Sequence, residues 1–295
     1  MADYVISACS TMDLTAEHTR KRDIMFLNFK YSLDGAEHLD DMFESTSAKE
    51  FYDAMVNGAD TKTSQVNVDA YLTFFREILS QGKDILHISF SSGLSGSYNS
   101  ARIAAEEIRP EFPDRKLLLV DSLAASSGFG LFVDKIADLR DEGKTIEEAY
   151  TWAMENKNKV HHWFSSSDLT FYVKGGRVSK VAGWFGTILK ICPVLNVDKQ
   201  GKLIPREKVR GKANALKRLV EKMVENAENG ADYDDKCYIC NSDCYEDAEF
   251  VKNLVEEHFP KLAGKVQIFN IGPTIGSHTG PGTVALFFMG KERID

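Results

Sequence analysis

The chain has 295 residues, of which 43% are hydrophobic and 27% charged, and this composition excludes a disordered or fibrous protein. At about 150 residues per domain, the length predicts two domains. The formal net charge is -8, so the protein as a whole repels a phosphate backbone, and we expect no nucleic-acid partner.

The start of the chain and its cysteines indicate a reduced, cytoplasmic protein. The first residues lead directly into a short apolar segment without a basic leader, and no stretch approaches the roughly 18 apolar residues of a membrane span, so we expect no stable membrane insertion. An odd number of scattered cysteines does not predict a disulfide framework. They are Cys9, Cys192, Cys237, Cys240 and Cys244. The last three lie on or just past one predicted strand without a second pair, which disfavours a metal site.

The first half of the chain alternates short apolar runs with amphipathic segments of helical spacing. This alternation predicts buried parallel strands joined by helices, which is a Rossmann-like α/β domain. The apolar runs cover residues 4–9, 24–29, 84–90 and 116–122. A further helix begins at Thr145, where Thr-Ile-Glu-Glu has the spacing of a capping box, and continues to about Lys159. We therefore place this domain at residues 1–159.

From residue 160 the pattern changes, and we expect an α+β domain at residues 160–295. Two alternating apolar segments flank Lys199-Gln200-Gly201, which is typical of an antiparallel hairpin. A long amphipathic helix follows from about Gly211 to Asn229, and then a strand, a helix and two strands. The pattern predicts helices over a mainly antiparallel sheet.

A serine- and glycine-rich segment from Ser89 to Tyr98 lies between a predicted strand and a predicted helix. In an open α/β sheet, anionic ligands bind where a strand ends and the next helix begins. Serine hydroxyls there can donate to a carboxylate or a phosphate. The alternative is an ordinary turn in which Ser95 or Ser97 caps the helix, and the pattern alone leaves both open.

Three other segments carry polar side chains suited to a site. Lys62-Thr63-Ser64-Gln65 precedes a predicted helix and alone is typical of a helix cap. Residues 271–282 are rich in glycine and proline and contain His278, which could orient a hydroxyl, donate to an anion or act as a general base. Arg177 could face an anion or cap a turn, and Ser122 ends a strand and could line the same crevice.

Taken together, these segments resemble the DegV family, whose members include the fatty-acid-binding subunits of bacterial fatty acid kinases. The resemblance covers nearly the whole chain in order. It rests on CSTMDL at 9–14, KTSQ at 62–65, SFSSGLSGSYNSA at 89–101, DS at 121–122, GGRVS at 175–179, PVLNVDKQGKLIPREKVRG at 193–211 and IGPTIGSHTGPGTVALFF at 271–288.

The resemblance implies a DegV-type fold and a non-catalytic carrier that buries a long-chain fatty acid, such as palmitate or oleate, between its two domains. No cofactor is implied, and a separate fatty acid kinase would phosphorylate the bound carboxyl group with ATP. The carboxylate contacts that it implies are Thr63, Ser92, Gly93 and His278. Further polar or partner contacts are implied for Ser64, Ser122, Arg177, Arg206 and Arg210.

The fatty-acid tail is expected to occupy an apolar tunnel. The candidate lining residues are Phe164, Leu169, Phe171, Val181, Trp184, Phe185, Ile188, Leu189, Ile191, Phe269 and Ile271. Apolar residues at such spacing are more often ordinary core, so we expect only about half of them in the tunnel.

The alternative function is a serine/histidine hydrolase or acyltransferase that acts on acyl substrates. In that case His278 activates Ser92, and N–H groups at a helix start form an oxyanion site. The sequence shows no carboxylate placed to orient the histidine and no nucleophile-elbow pattern, which favours the carrier.

Overall fold

The computed structural model describes residues 4–166, 169–178 and 191–295. Its strands are β1 (Tyr4–Cys9), β2 (Ile24–Leu27), β3 (Lys30–Leu33), β4 (Ala36–Leu39), β5 (Thr61–Ser64), β6 (Asp84–Ser89), β7 (Leu117–Asp121), β8 (Val160–Ser165), β9 (Ile191–Val197), β10 (Leu203–Arg210), β11 (Cys237–Asn241), β12 (Gln267–Asn270) and β13 (Val284–Met289). Its α-helices are α1 (Ala16–Lys21), α2 (Ala48–Val56), α3 (Val68–Leu79), α4 (Ser97–Ile108), α5 (Ser126–Asp141), α6 (Ile146–Asn156), α7 (Thr170–Lys174), α8 (Lys212–Asn226), α9 (Tyr245–His258) and α10 (Pro273–Thr279).

The first half of the chain forms a four-stranded parallel sheet in the order β2-β1-β6-β7. Strands β1 and β6 are almost entirely buried, as expected for parallel strands that are covered on both faces. The predicted capping box is present, since Thr145 accepts from the Glu148 N–H while the Glu148 carboxylate accepts from the Thr145 N–H. The parallel strands and this helix start are therefore confirmed.

The second half forms a six-stranded sheet in the order β10-β9-β8-β13-β11-β12. All neighbours are antiparallel except β11 and β12, which are parallel. Helices α8 and α9 pack on this sheet. The predicted hairpin is confirmed: β9 and β10 are joined by a turn in which Gly201 has a φ of 76° and its N–H donates to the Asp198 carbonyl. The α/β fold class, with one parallel and one mainly antiparallel sheet, is confirmed.

A third, small antiparallel sheet in the order β4-β3-β5 was not expected from the sequence. All four residues of β4 are exposed, so these strands lack the apolar alternation that indicates a strand. The Lys62–Gln65 segment is consequently more than a helix cap. Its first three residues belong to β5, and the cap of α3 is Asn67, whose side chain accepts from the Ala70 N–H at 2.9 Å.

Helix α5 lies between the two larger sheets and contacts β1 on one side and β8, β11 and β13 on the other. Two glycines permit this close packing. A Cβ on Gly128 would lie 2.5 Å from both His162 and Phe287, and a Cβ on Gly130 would overlap the Met12 carbonyl. Most buried apolar residues of both halves form one continuous cluster, and Tyr31, Phe51, Tyr52 and Met55 form a second, smaller one. The division of the chain into domains at residues 1–159 and 160–295 stays a prediction.

The glycine- and proline-rich segment at residues 271–282 contains the short helix α10. Pro273 lies in the first turn of α10, where a backbone N–H would have no partner within the helix. Its lack of an N–H therefore costs no helical hydrogen bond. Gly280 ends the helix with a φ of 71°, a conformation that favours glycine. The Tyr52 hydroxyl donates to the Ile271 carbonyl at 2.7 Å and fixes the start of the segment. The backbone path of this segment therefore sets the position of His278.

Candidate ligand-binding site

A cavity of about 330 Å³ lies between α10, the loops that follow β6 and β7, and one face of the six-stranded sheet. Its apolar wall includes Phe29, Phe90, Leu94, Phe164, Val197, Leu203, Ile271, Ile275, Ala285 and Phe287. Polar side chains that line it include Thr63, Ser64, Gln65, Ser95, Arg177 and His278. A mostly apolar wall with a few convergent polar groups is typical of a site for a small amphipathic molecule.

Thr63 and His278 come together in the cavity wall although they are far apart in the sequence. Thr63 lies on β5 and His278 on α10, and Thr63 Oγ1 is 2.7 Å from His278 Nε2. Burial, and then the nearby Arg177 guanidinium, lower the pKa of His278 to about 4. The imidazole is therefore neutral at neutral pH and carries one proton.

The position of that proton follows from what surrounds each ring nitrogen. His278 Nδ1 is buried and has no hydrogen-bond partner among the described residues, and Gly175 packs directly against it. A proton on Nε2 instead donates to Thr63 Oγ1. That arrangement leaves the Thr63 hydroxyl hydrogen free to donate to a ligand.

The serine-rich segment reaches the cavity through Ser95 and Gly96, not through Ser92 and Gly93. Ser92 is exposed, and its N–H donates to the Asp121 carboxylate at 3.1 Å. Gly93 packs against the β9–β10 turn, where a Cβ would lie 2.7 Å from the Gln200 carbonyl oxygen. Ser92 and Gly93 are therefore not among the described residues that line the cavity, and their contact with a ligand stays a prediction.

The other implied contacts divide between the cavity and the surface. Ser64 and Arg177 line the cavity, and the Arg177 guanidinium donates to the Gly175 carbonyl. Ser122 does not line it, because its buried hydroxyl accepts from the Ala124 N–H at 3.1 Å inside the turn after β7. Arg206 is partly buried and donates to the Asn196 side chain at 2.8 Å. Arg210, at the end of the edge strand β10, is exposed.

Two of the tunnel candidates, Phe164 and Ile271, line the cavity. Phe269 does not, because it is buried against the rings of His18 and Tyr238. Leu169, Phe171 and Ile191 are also not among the described residues that line the cavity. Val181, Trp184, Phe185, Ile188 and Leu189 lie outside the described residues.

Several lining residues were missed by sequence reasoning although their pattern was visible. His162 alternates on β8 with Phe164, which was predicted, and Ala285 and Phe287 alternate on β13. The register pairs Phe164 with Ala285 and His162 with Phe287, so all four side chains share one face of the sheet. Period-two alternation predicts such a shared face, but which face borders the cavity depends on the packing of α5.

The geometry does not favour the hydrolase alternative. Ser92 is exposed, and within the described part of the chain the only side-chain partner of His278 is Thr63. The other cavity histidine, His162, is held by the Val160 carbonyl at 3.0 Å and the Ala125 N–H at 3.1 Å, so both its nitrogens are occupied. A nucleophile bonded to a base that a carboxylate orients is therefore not found among the described residues.

Residues 4–166, 169–178 and 191–295 contain no group of three or more His, Cys, Asp or Glu side chains that could hold a metal ion. Over the same ranges, no helix has the length and apolar character needed to span a bilayer.

The fold and the site define an α/β protein with a mostly apolar cavity between α10, the loops that follow β6 and β7, and one face of the six-stranded sheet. A family model described as "Uncharacterised protein, DegV family" matches residues 5–291. The chain belongs to the DegV family.

Similar proteins support this assignment over the full length. The chain is 38% identical to the DegV domain-containing protein CPE0026 of Clostridium perfringens, over 99% of both chains. A Thermotoga maritima structure described as revealing fatty acid binding function is 28% identical, with a TM-score of 0.82 over 98% of this chain and 100% of that one. A Thermus thermophilus structure described as "Fatty Acid Binding of a DegV family Protein" is 25% identical, with a TM-score of 0.85 over 98% and 99%.

Proposed function

We propose that this protein binds a long-chain fatty acid, with the carboxylate at Thr63, Ser95 and His278 and the hydrocarbon tail along the apolar wall of the cavity. The observation that carries the proposal is the joining of a polar cluster to an apolar wall in one cavity. The fatty-acid-binding DegV proteins of Thermotoga maritima and Thermus thermophilus share this fold over nearly their whole length.

The carboxylate end of the proposed site offers several hydrogen-bond donors and one positive charge. The Thr63 hydroxyl can donate, and the Ser95 hydroxyl, which donates to Ser97 Oγ at 3.1 Å, can turn to donate to a carboxylate instead. The amino end of α4, which begins at Ser97, adds a partial positive charge. Arg177 is half-buried and supplies a full positive charge near His278. Carboxylate oxygens accept hydrogen bonds from all these groups.

The tail supplies most of the binding free energy. Burial of one methylene contributes about 0.8 kcal/mol, so about 14 methylenes contribute on the order of 10 kcal/mol before the entropy of association is subtracted. The apolar wall presents aromatic rings from Phe29, Phe90, Phe164 and Phe287 to such a tail. A ligand with only a short chain would lose most of this free energy of burial.

The protein acts as a carrier, and the chemistry belongs to a partner. A separate cytoplasmic fatty acid kinase phosphorylates the bound carboxyl group with ATP, and the carrier itself needs no cofactor. Support comes from the resemblance of the chain to the fatty-acid-binding subunits of such kinases. Arg210 is exposed on an edge strand and is the candidate for contact with the kinase.

The first experiment identifies bound lipid in the purified protein by denaturation, solvent extraction and mass spectrometry. We expect one fatty acid per chain in the wild type and a clear loss in a Ser95→Ala, His278→Ala double variant. Ser92→Ala is the matched control, because Ser92 lies in the same loop but is exposed. Loss of lipid in Ser92→Ala with retention in the double variant would contradict the site, and no fatty acid in any preparation would contradict the function.

A further inference from the structure

The cavity wall has a second polar area, whose side chains share no described hydrogen bond with the Thr63–His278 pair. We call it the polar recess, and its members are Ser126, Tyr172, Cys240, Thr279 and Thr283, all of which line the cavity. Ser126 Oγ is 3.3 Å from Cys240 Sγ, and the Tyr172 hydroxyl is 3.2 Å from Thr283 Oγ1. These residues come from four separate elements and one loop, so their convergence is a property of the fold.

The Thr279 hydroxyl in the recess has no partner among the described residues. Thr279 is 8% exposed, and its Oγ1 is buried without a hydrogen bond, although Thr283 Oγ1 donates to the Thr279 carbonyl at 3.3 Å. A buried hydroxyl without a partner destabilises the protein, because its hydration is lost without replacement. Rotation about the Cα–Cβ bond of Thr279 breaks no described hydrogen bond of this hydroxyl and turns it toward the cavity that the residue lines, where a ligand group that donates or accepts can pair with it.

Ser126 adds an acceptor on the same wall. Its hydroxyl donates to the buried Asp13 carboxylate at 2.5 Å, so its hydrogen is already committed and lone-pair capacity remains on the oxygen. Ser126 has a φ of 53°, a left-handed conformation that non-glycine residues rarely adopt. Such backbone strain is kept where the surrounding structure fixes it, often at ligand sites.

We propose that the polar recess binds a hydroxyl group carried on the hydrocarbon chain of the ligand, so that hydroxy fatty acids bind more tightly than unsubstituted fatty acids of equal length. This inference rests on the proposed function, since the fatty acid must already occupy the cavity. A methylene opposite Thr279 leaves the threonine hydroxyl unpaired, whereas a chain hydroxyl pairs with it. The difference between the two ligands is therefore about one neutral hydrogen bond.

The test compares ligands of one length on the full chain after removal of copurified lipid. Displacement of a fluorescent fatty acid is measured with stearic acid and with 3-hydroxy-, 10-hydroxy- and 12-hydroxystearic acid. We expect at least one hydroxy isomer to bind about threefold to tenfold more tightly than stearic acid, the range for one neutral hydrogen bond. The preferred isomer reports the distance of the recess from the carboxylate.

Thr279→Val keeps the shape of the side chain and removes its hydroxyl, so the affinity ratio of hydroxystearic to stearic acid should fall to about one. The control is Thr61→Val, because Thr61 is buried on β5 but is not a described lining residue, and the ratio should persist there. Equal or weaker binding of every hydroxy isomer by the wild type would overturn the inference. An equal loss for both ligands in Thr279→Val would also overturn it, by assigning Thr279 to the carboxylate. Failure of stearic acid itself to bind would instead overturn the proposed function.

Discussion

Replacement of Gly175 by alanine should disturb the carboxylate end of the site through a steric contact with His278. Gly175 has an ordinary helical conformation, with a φ of -72°, so alanine adds no backbone strain there. Its Cβ, however, would overlap His278 Nδ1 and lie 3.1 Å from both Cγ and Cε1. Ordinary carbon contacts are about 3.5–4.0 Å, so the ring or α10 has to move by on the order of 1 Å.

A movement of this size breaks the hydrogen bond between His278 and Thr63. The Nε2–Oγ1 distance is 2.7 Å, and a separation beyond about 3.5 Å no longer counts as a hydrogen bond. The overlap and the lost bond together cost about 1–3 kcal/mol, and about 1.4 kcal/mol corresponds to a tenfold change in affinity. We therefore expect Gly175→Ala to weaken fatty acid binding by about tenfold or more.

The assay is equilibrium displacement of a fluorescent fatty acid, accompanied by the melting temperature of each variant. Gly176→Ala is the matched control, because a Cβ there meets no atom within 4 Å but the φ is 69°. We expect that control to lower the melting temperature and to keep the affinity. Unchanged affinity in Gly175→Ala, or an equal loss in both variants, would refute the assignment of His278 to the carboxylate.

The remaining predictions concern acid stability and the partner. Burial lowers the pKa of His87 to about 3 from its ordinary value of 6.5, so between those pH values the unfolded state binds a proton that the folded state does not. The free energy of unfolding should therefore fall as the pH decreases below about 6.5. When it is measured by urea unfolding, His87→Leu should reduce its slope against pH by about 1.4 kcal/mol per pH unit between pH 6 and 4. An unchanged slope would contradict this prediction. Arg210→Glu should lower kcat/KM for phosphorylation of the bound fatty acid by a fatty acid kinase about tenfold without changing fatty acid affinity, because a surface charge reversal opposes encounter with the partner. Arg102→Glu, exposed on α4, is the control, and equal phosphorylation in both variants would count against Arg210.

The parallel sheet was predictable because its strands are continuous apolar runs, a pattern that few other structures produce. The β9–β10 hairpin was predictable from the glycine in its turn, and α6 from its capping box. The small sheet was not, since β4 is held by pairing with β3 and not by burial of its side chains. Its polar residues have no periodicity that distinguishes them from a loop.

The sequence alone does not show whether Ser92 or Ser95 lines the cavity. Each serine is followed by a glycine in the same short segment, so the local sequence does not distinguish them. In the structure Ser95, and not Ser92, lines the described cavity. Ser91 holds this part of the loop, because its carbonyl accepts from the N–H groups of Leu94 and Ser95 and its hydroxyl donates to the Gly201 carbonyl. That last contact joins residues far apart in the chain, so only the folded structure reveals it.

The position of α5 limits how the cavity can change its size. This helix packs through Gly128 against the six-stranded sheet and through Gly130 against the segment after β1, so neither sheet can move away from it without opening buried contacts. Separation of the two sheets as rigid halves would therefore expose part of the shared core. The cavity can therefore fit ligands of different shape only through movement of side chains and of other wall segments, such as α7 and α10. Helix α5 keeps its position while they move.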